Sequence, residues 1–443
     1  SRGLGDVYKR QPEARASLFE RSKYSGLRIS KEAATILAMR VALYEGSWEK
    51  YHKGTKFATE DNHTEFFQEV MKWGDEQFFK SKLALNTKDT DKEYVNAEDA
   101  FAHLFNKKDL SQIQEAVLWK KYSVADGVFH RLGALLASGA VDGQGPSGLS
   151  KSLVDNYLNA DGTFINPKDE KYKDFNEMFK ERDARLLVTV MHSGPDCKYR
   201  ASSPTNKPMN VRAYDATGTE DEMKEKNEDI VSPNLNGDGN SKSVTGFHIR
   251  LGIDTTYVDN ESETVVVLFR YAEGLLCYAE AAEELDLCTD DVLNKTLKPL
   301  RERAGVTYVK PTKADPNFPF TGLSPVLQEI RRERRSELAL QGFRLDDLMR
   351  WAVAGTLKGQ DGRGRGAYLG EDGVLYKSFS PKGRESLKLV LKDNDGWTDP
   401  LQQYLPQGYL FDLNRDYLLP IPPDELQLNR ELKQNPGWGD ANE

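Results

Sequence analysis

The sequence has few cysteines and histidines, and it lacks a long apolar run. Its three cysteines, Cys197, Cys277 and Cys288, show no metal-ligand spacing. The six histidines are scattered and give none of the pairs typical of zinc sites. No apolar stretch approaches the roughly 20 residues that a membrane-spanning helix needs. The sequence therefore predicts no metal ion and no cofactor. Cys277, in an apolar stretch, is predicted as a core residue, and a disulfide with Cys288 is left open.

Neither sign of charge is in large excess. Lys and Arg number 61 against 70 Asp and Glu, giving a formal net charge of −9, and the two signs are mixed along the chain. This balance favours solubility and argues against a nucleic-acid partner. The sequence also lacks the glycine pattern of a nucleophile elbow. With so many carboxylates some pair always looks catalytic, so such a pair carries no weight, and we predict no enzyme.

The strongest helical patterns lie between residues 268 and 351. Apolar residues from 268 to 282 recur at helical spacing and form one stripe. Further on, Ser324 suits an N-cap and Pro325 suits the first helical position. Gly342 breaks this second pattern, which then resumes. We predict a helix, a tight turn, and a helix folded back on the first.

Arginines stand among the apolar residues of that second helix. Its stripe contains Arg331 and Arg334 as well as leucine and isoleucine. A guanidinium on a core-facing stripe must find carboxylates or carbonyls, because an unpaired buried charge is very costly. The alternative is an exposed helix laced with Glu–Arg pairs. We favour internal partners; the glutamates that interleave the run argue against nucleic-acid binding.

Paired helices are also predicted near the N-terminus. Ser30 caps an apolar stripe that leads to a turn at Gly46, and residues 65–85 form the next helix. The segment ending at Gly46 resembles the one ending at Gly342, each being a helix end followed by a glycine and an aromatic. Such recurrence is typical of tetratricopeptide repeats, whose helix pairs bury their faces against stacked neighbours. The pair 268–285 and 290–304 is predicted as another copy.

Several segments of the chain resemble one family, SusD/RagB. The matching segments are Lys31–Gly46, Leu153–Gly162, Glu181–Gly194, Thr245–Arg250, Arg270–Glu273, Arg331–Leu338, Gly342–Trp351 and Tyr417–Trp438. Members of this family are glycan-binding lipoproteins of the outer membrane of Gram-negative bacteria. The resemblance covers most of the chain from about Lys31 to Trp438.

The resemblance and the helical patterns together predict a mainly α fold. We expect residues 1–11 to be a junction segment outside the fold and residues 12–443 to form a single SusD-like domain. Within it, 12–85 and 263–357 would form a tetratricopeptide-like helical repeat scaffold. Residues 86–262, rich in Gly, Asn, Asp, Ser and Pro, would form a large irregular loop-rich insert, and 358–443 a loop-rich C-terminal strap.

The same resemblance implies a function and a cellular location. Such a protein would bind an oligosaccharide or polysaccharide without a chemical step and deliver it to a SusC-like TonB-dependent transporter. It would lie at the cell surface, held at the outer membrane through a lipid anchor that is not present in this chain. The sequence has no initiator Met, signal peptide or lipidation cysteine near Ser1, so we expect an N-terminal part to be missing.

A glycan site needs aromatic platforms for the flat C–H face of a sugar and polar groups for its rim of hydroxyls. Such sites sit on loops held by a rigid scaffold. We predict ligand contacts from aromatic and histidine side chains that have polar neighbours on these loops, with Tyr404 and Tyr409 as further aromatics. The predicted ligand-binding residues are Tyr199, Tyr214, Phe247, His248, Tyr257 and Trp397.

Other interpretations stay open. Asn234–Asn240 alternates oxygen ligands as a calcium loop does, but Thr245 stands where an EF-hand has Glu, which favours a solvated turn. The backbone amides of Gly362–Gly366 could cradle an anion, but we favour an ordinary flexible loop. As whole functions, the alternatives are a helical scaffold that binds a peptide or protein partner and, with less support, a glycan hydrolase.

Overall fold

The computed structural model describes residues 12–89, 92–93, 96–131, 148–192, 235, 243–253, 261–358, 362–378, 384–385, 387–388 and 390–439. Helix dominates this part of the chain, which confirms the predicted mainly α fold. The predicted junction segment 1–11 lies outside it. So do most of Asn234–Asn240 and Cys197, and the predictions made for them are untested.

The longer helices belong to the segments predicted as scaffold, and short elements occupy the rest. The α-helices are α1 (Lys31–Tyr51), α2 (His63–Trp73), α3 (Ala97–Asn106), α4 (Lys151–Val154), α5 (Ala184–Thr189), α6 (Tyr271–Glu284), α7 (Asp290–Lys295), α8 (Leu297–Arg303), α9 (Pro325–Glu337), α10 (Arg344–Arg350), α11 (Val374–Ser378) and α12 (Pro423–Leu428). A π turn, Gly74–Phe78, extends α2, and 3₁₀ turns occupy Arg21–Lys23, Glu170–Lys173, Glu177–Phe179 and Ala354–Leu357. The strands are β1 (Lys88–Asp89), β2 (Lys92–Glu93), β3 (Ala116–Lys120) and β4 (Val266–Arg270), paired antiparallel as β1–β2 and β3–β4.

The scaffold core lies where α1, α2, α6 and α9 meet. Ser30 accepts a hydrogen bond from the amide of Ala33 (3.2 Å), which confirms it as the N-cap of α1. Small and branched side chains of α1 then pack on α2 and α6. Cys277 is fully buried here, as predicted, and it and Cys288 are both free thiols.

Several helix boundaries predicted for the scaffold are wrong. The helix predicted over 65–85 ends with its π turn at Phe78, and the one predicted over 290–304 is interrupted at Thr296. Helix α1 continues through Gly46 to Tyr51 without a turn. A Cβ at Gly46 would lie 3.0 Å from the ring of Phe67, so this glycine allows the close approach of α2 and does not mark a turn. Likewise Leu268 lies in β4, and α6 begins only at Tyr271. The β-branched run 265–267 prefers a pleated strand, and β4 pairs with β3.

The hairpin of α9 and α10 has the predicted form. Ser324 accepts a hydrogen bond from the amide of Leu327 (3.0 Å), and Pro325 occupies the first turn of α9. After α9 the chain turns through Gly342, whose φ of +86° suits glycine because other residues rarely adopt this left-handed region. The predicted helix, tight turn and returning helix are therefore confirmed.

The arginines of α9 have internal partners, as the sequence predicted. The Nε of Arg334 donates to both carboxylate oxygens of Asp347, at 2.8 and 2.9 Å. Arg331 reaches Glu284 at 3.4 Å, and its guanidinium lies 4.3 Å from the ring centroid of Trp351. All of these arginine and carboxylate side chains are buried. They form part of a network in which guanidinium groups and carboxylates alternate inside the scaffold.

The centre of this network is Glu337, at the end of α9. One carboxylate oxygen pairs with Arg270 and Arg303, and the other accepts from Arg185 at 2.7 Å. Glu115, next to β3, shares two of these cations, with Arg270 at 2.8 Å and Arg303 at 3.1 Å. Charges this deep in a protein are tolerated only when they are paired and hydrogen-bonded.

Arg334→Ala is expected to lower the free energy of unfolding by about 3 kcal/mol, because Asp347 loses one of the two cations that hold it in the core. Urea unfolding followed by circular dichroism measures the change. The matched control is Arg430→Ala, an exposed arginine of the C-terminal strap, for which we expect no more than about 0.5 kcal/mol. Equal midpoints for both variants would contradict the expectation.

A second core joins the predicted insert to the predicted strap. Most of its side chains come from segments between 149 and 253, and the rest come from 367–387. At the heart of this core Tyr157 and Phe247 are fully buried. The C-terminal tail covers the scaffold at another place, where Tyr417 packs against His52 (ring centroids 4.7 Å apart) and Phe57 (5.5 Å). Trp438 folds back on the tail and donates from Nε1 to the carbonyl of Leu418 (2.9 Å).

Candidate functional site

Loops of the C-terminal segment carry the aromatic side chains of Tyr368, Trp397, Tyr404 and Tyr409, called here the aromatic group. Buried Arg363 holds these loops together. Its Nε and Nη2 donate to the carboxylate of Asp399 at 3.0 and 2.5 Å, and Nη1 donates to the carbonyls of Leu405 and Pro406. A buried bidentate ion pair is a rigid link because both groups lose their bonds if the loop moves. Arg363 therefore fixes the segment Gly362–Gly366 against the loop that contains Asp399, Leu405 and Pro406. The sequence did not predict this structural role.

Trp397 and Tyr368 form an edge-to-face pair on these loops. Their ring centroids are 5.2 Å apart with an interplanar angle of 67°. A tight turn sets Trp397: its amide donates to Asp393 Oδ1 (2.9 Å), and Gly396 has a φ of +89°. A Cβ at Gly396 would lie 2.9 Å from the Tyr368 ring, so the turn requires glycine for space as well as for conformation.

Two lysines and a carboxylate border the aromatic pair. The Nζ of Lys151 in α4 lies 4.3 Å from the Trp397 ring centroid, and that of Lys173 lies 5.2 Å from the Tyr368 ring centroid. The hydroxyl of Tyr368 donates to Asp372 Oδ1 at 2.6 Å. This hydrogen bond raises the pKa of Tyr368 to about 12 and lowers the pKa of Asp372, so Asp372 is a carboxylate near neutral pH.

The most exposed aromatic of these loops is Tyr404, whose side chain is 81% accessible. It immediately precedes the two carbonyls that Arg363 binds, so its backbone is anchored while its ring faces solvent. Tyr409 is 41% exposed on the same segment. Polar side chains at Asn394 and Gln403 are also exposed there. An anchored loop that presents a bare ring and amide groups can bind a flat, hydroxyl-rimmed ligand.

The predicted site residues that the structure describes lie in different environments. Trp397 belongs to the aromatic group and is 9% exposed, with one neighbour in Tyr368 and another in Lys151. Phe247 is fully buried in the second core, and its backbone carbonyl accepts a hydrogen bond from the Leu149 amide (2.8 Å). His248 is half-buried, and burial lowers its pKa to about 4, so its ring is neutral at pH 7.

Tyr199, Tyr214 and Tyr257 lie outside the described residues, so the structure does not bring them to this group or separate them from it. Ligand contacts for five of the six residues stay predictions, and the full burial of Phe247 argues against a contact from its ring. The sequence interpretation missed Tyr368, Lys151 and Lys173 as neighbours of Trp397. The glycine-rich sequence around Tyr368 indicates closely approaching loops, but no sequence signal marks Lys151 or Lys173 as neighbours of Trp397.

In the described ranges, no group of three or more His, Cys, Asp or Glu side chains is arranged to hold a metal ion. None of the helices seen there is both long and apolar enough to cross a membrane.

Comparisons with known proteins relate this geometry to one family. The model of the SusD family matches residues 112–438. A SusD-like carbohydrate-binding protein of Bacteroides fragilis shares the fold with a TM-score of 0.60 at 21% identity, covering 97% of this chain and 70% of that one. A second SusD-like protein of the same organism gives a TM-score of 0.59 at 17% identity, with 98% and 70% covered. No curated protein matches the sequence. Because the family model spans most of the sequence, the chain belongs to the SusD family.

Proposed function

We propose that this protein binds an oligosaccharide or polysaccharide at the cell surface without chemical change and delivers it to a SusC-like TonB-dependent transporter of the outer membrane. The observation that carries the proposal is the exposed ring of Tyr404 on a loop clamped by Arg363 and Asp399. Family membership supports it, as does the carbohydrate binding named for a protein of the same fold. Attachment to the outer membrane through a lipid anchor is part of the proposal.

Binding would rest on stacking and hydrogen bonds. The apolar C–H face of a sugar ring would pack on Tyr404, while exposed amides such as Asn394 and Gln403 would meet its hydroxyl groups. Trp397 and Tyr368, which are largely buried, would stiffen the C-terminal loops through their edge-to-face contact. Tyr199, Tyr214, His248 and Tyr257 are further proposed contacts. Phe247 is buried, and the site is proposed without it.

Tyr404→Ala is expected to weaken glycan binding about tenfold, the effect of losing roughly 1.4 kcal/mol of aromatic contact. Native gels loaded with a panel of plant and host polysaccharides measure retarded migration of the purified chain. The matched control is Tyr24→Ala, which removes an exposed tyrosine outside the proposed site. Tyr199→Ala and Tyr214→Ala test the contacts proposed from the sequence.

Each outcome of that experiment separates the candidate functions. Retardation by one glycan that weakens with Tyr404→Ala, but not with Tyr24→Ala, supports the proposal. Equal retardation of all variants would exclude this face as the site. Release of new reducing ends from the retained glycan would support the hydrolase alternative and contradict simple binding.

A groove on the scaffold favours a second candidate, binding of a peptide or protein segment. Its volume is about 820 Å³, and its walls come from the stretch before β1 and from α3, α6, α7 and α8. Apolar side chains such as Leu85 and Leu275 alternate there with Asn96, Lys295 and Glu302. A mixed lining of this kind suits an extended peptide with apolar and polar side chains. Cross-linking from a photoreactive residue at Asn96 to a co-purified peptide tests it.

A further inference from the structure

One arginine of α9 differs from its neighbours. Arg331, Arg332 and Arg334 each pair with a buried carboxylate. Arg335, the next residue, is half-buried, and its Nη2 donates to Ser152 Oγ at 2.8 Å. Across the described part of the chain it forms no ion pair. A hydroxyl dipole compensates a guanidinium charge far less than a carboxylate does.

A second arginine near Arg335 is also half-buried and without an ion pair among the described residues. Arg344, at the start of α10, is half-buried, and its guanidinium lies 5.4 Å from the ring centroid of Phe320. It too has no carboxylate partner among the residues that the structure describes. Burial, followed by the nearby charge of Arg344, lowers the pKa of Arg335 to about 9. Burial lowers the pKa of Arg344 to about 10. Both remain cations at pH 7, and they repel each other.

The two carboxylates close to this pair each have another cation as an ion-pair partner. Asp155 in the turn after α4 pairs through Oδ2 with Lys151, and its charge attracts Arg335 only from beyond ion-pair distance. Asp347 accepts from Arg334 on one side and from Arg350, at 2.8 Å, on the other. The two half-buried guanidinium groups thus have an excess of positive charge and unused donors, and a hydroxyl, Ser152, lies beside them. An anion is the ligand that this set of groups would bind best.

We propose that Arg335, Arg344 and Ser152 bind the carboxylate or sulfate group of an acidic saccharide. The inference rests on the proposed function, because Ser152 follows Lys151, the residue that lies over Trp397 in the aromatic group. Arginine can bind the planar carboxylate of a uronic acid with two parallel hydrogen bonds, and a sulfate ester offers the same acceptors. The site would therefore select acidic over neutral glycans.

The test is thermal unfolding of the full chain at constant ionic strength with one of three probes: D-glucuronate, D-glucose 6-sulfate or neutral D-glucose. We expect an acidic probe to raise the Tm of the wild type by about 2 °C or more and D-glucose to leave it unchanged. Arg335→Gln should lose this increase. Arg430→Gln, which removes an exposed arginine elsewhere, should keep it. The two acidic probes show which anion is preferred.

Arg335→Gln is expected to fold, so the loss of the Tm increase can be measured on a folded protein. Removing one of two unpaired, mutually repelling charges should leave the Tm without probe equal to or above that of the wild type. If Arg335→Gln does not fold, Arg344→Gln provides the same readout. The inference is overturned if neither acidic probe raises the wild-type Tm, or if Arg335→Gln and Arg344→Gln keep the whole increase.

Failure of the inference and failure of the proposed function give different results. Retention by a neutral polysaccharide, with no effect of either acidic probe, would keep the proposed function and overturn the anion site. Protection by an acidic probe that Arg335→Gln removes, with no polysaccharide retained in gels, would support the anion site and count against glycan capture.

Discussion

Glu337→Gln is expected to lower the free energy of unfolding by about 5 kcal/mol or to prevent folding altogether. The glutamate pairs with Arg185, Arg270 and Arg303, all buried. Glutamine keeps the shape but loses the charge, so three guanidinium groups would share only the carboxylates that remain. This decrease in the free energy of unfolding is larger than that expected for a single buried ion pair, because several buried cations lose part of their counter-charge at once.

Urea unfolding followed by circular dichroism measures this effect. The matched control is Glu302→Gln, since Glu302 is exposed and its one ion pair among the described residues is with Lys298, at 3.8 Å. For that variant we expect a change within about 0.5 kcal/mol. A Glu337→Gln protein with the wild-type midpoint would show that the network contributes little to stability.

Acid is expected to unfold the protein steeply between about pH 4.5 and pH 2. Burial alone would raise the pKa of Glu280, but the charge and hydrogen bonds of Arg350 lower it to about 2. The pKa of Glu337 is likewise held well below its usual range by Arg303, Arg270 and Arg185, against the effect of burial. Carboxylates with a depressed folded-state pKa stabilise the protein above their unfolded pKa. That stability is lost as the pH falls through the folded value, about 3 kcal/mol for Glu280 alone.

A small opposite effect is expected at higher pH. Burial raises the pKa of Glu49 to about 6, so protonating this residue between pH 7 and pH 5 favours the folded state. The Tm should therefore stay level or rise slightly down to pH 5 and fall below pH 4.5. Added salt should not remove the acid transition, because buried pairs are screened far less than surface pairs such as Lys388–Glu385. A constant Tm from pH 5 to pH 2.5 would contradict the prediction.

Local chemistry made part of the scaffold predictable. Ser30 and Ser324 cap helices because a hydroxyl before an apolar stripe satisfies a free amide, and this signal lies within a few residues. The internal pairing of Arg334 followed from its place on an apolar stripe. Gly46 was misjudged because a glycine needed for close helix packing has the same sequence signature as one needed for a turn.

The site was less predictable, for a different reason. An aromatic residue on a loop is equally suited to pack or to bind, and only the tertiary structure separates these roles. Phe247 and Trp397 were predicted by one rule, and both side chains are buried. Phe247 lies inside the second core, whereas Trp397 packs edge-to-face on Tyr368 among the C-terminal loops. The cation pair of Arg335 and Arg344 could not be predicted, since it depends on which carboxylates the other arginines have already taken.

The buried network has a consequence for the order of folding. Glu115, Arg185, Arg270, Arg303 and Glu337 come from segments far apart in sequence. A chain that had docked some of these segments without the others would hold desolvated charges with no counterion, which is costlier than leaving all of them in water. Half-assembled compact states are therefore penalised. The scaffold should close in one late, cooperative step once all of these segments have arrived.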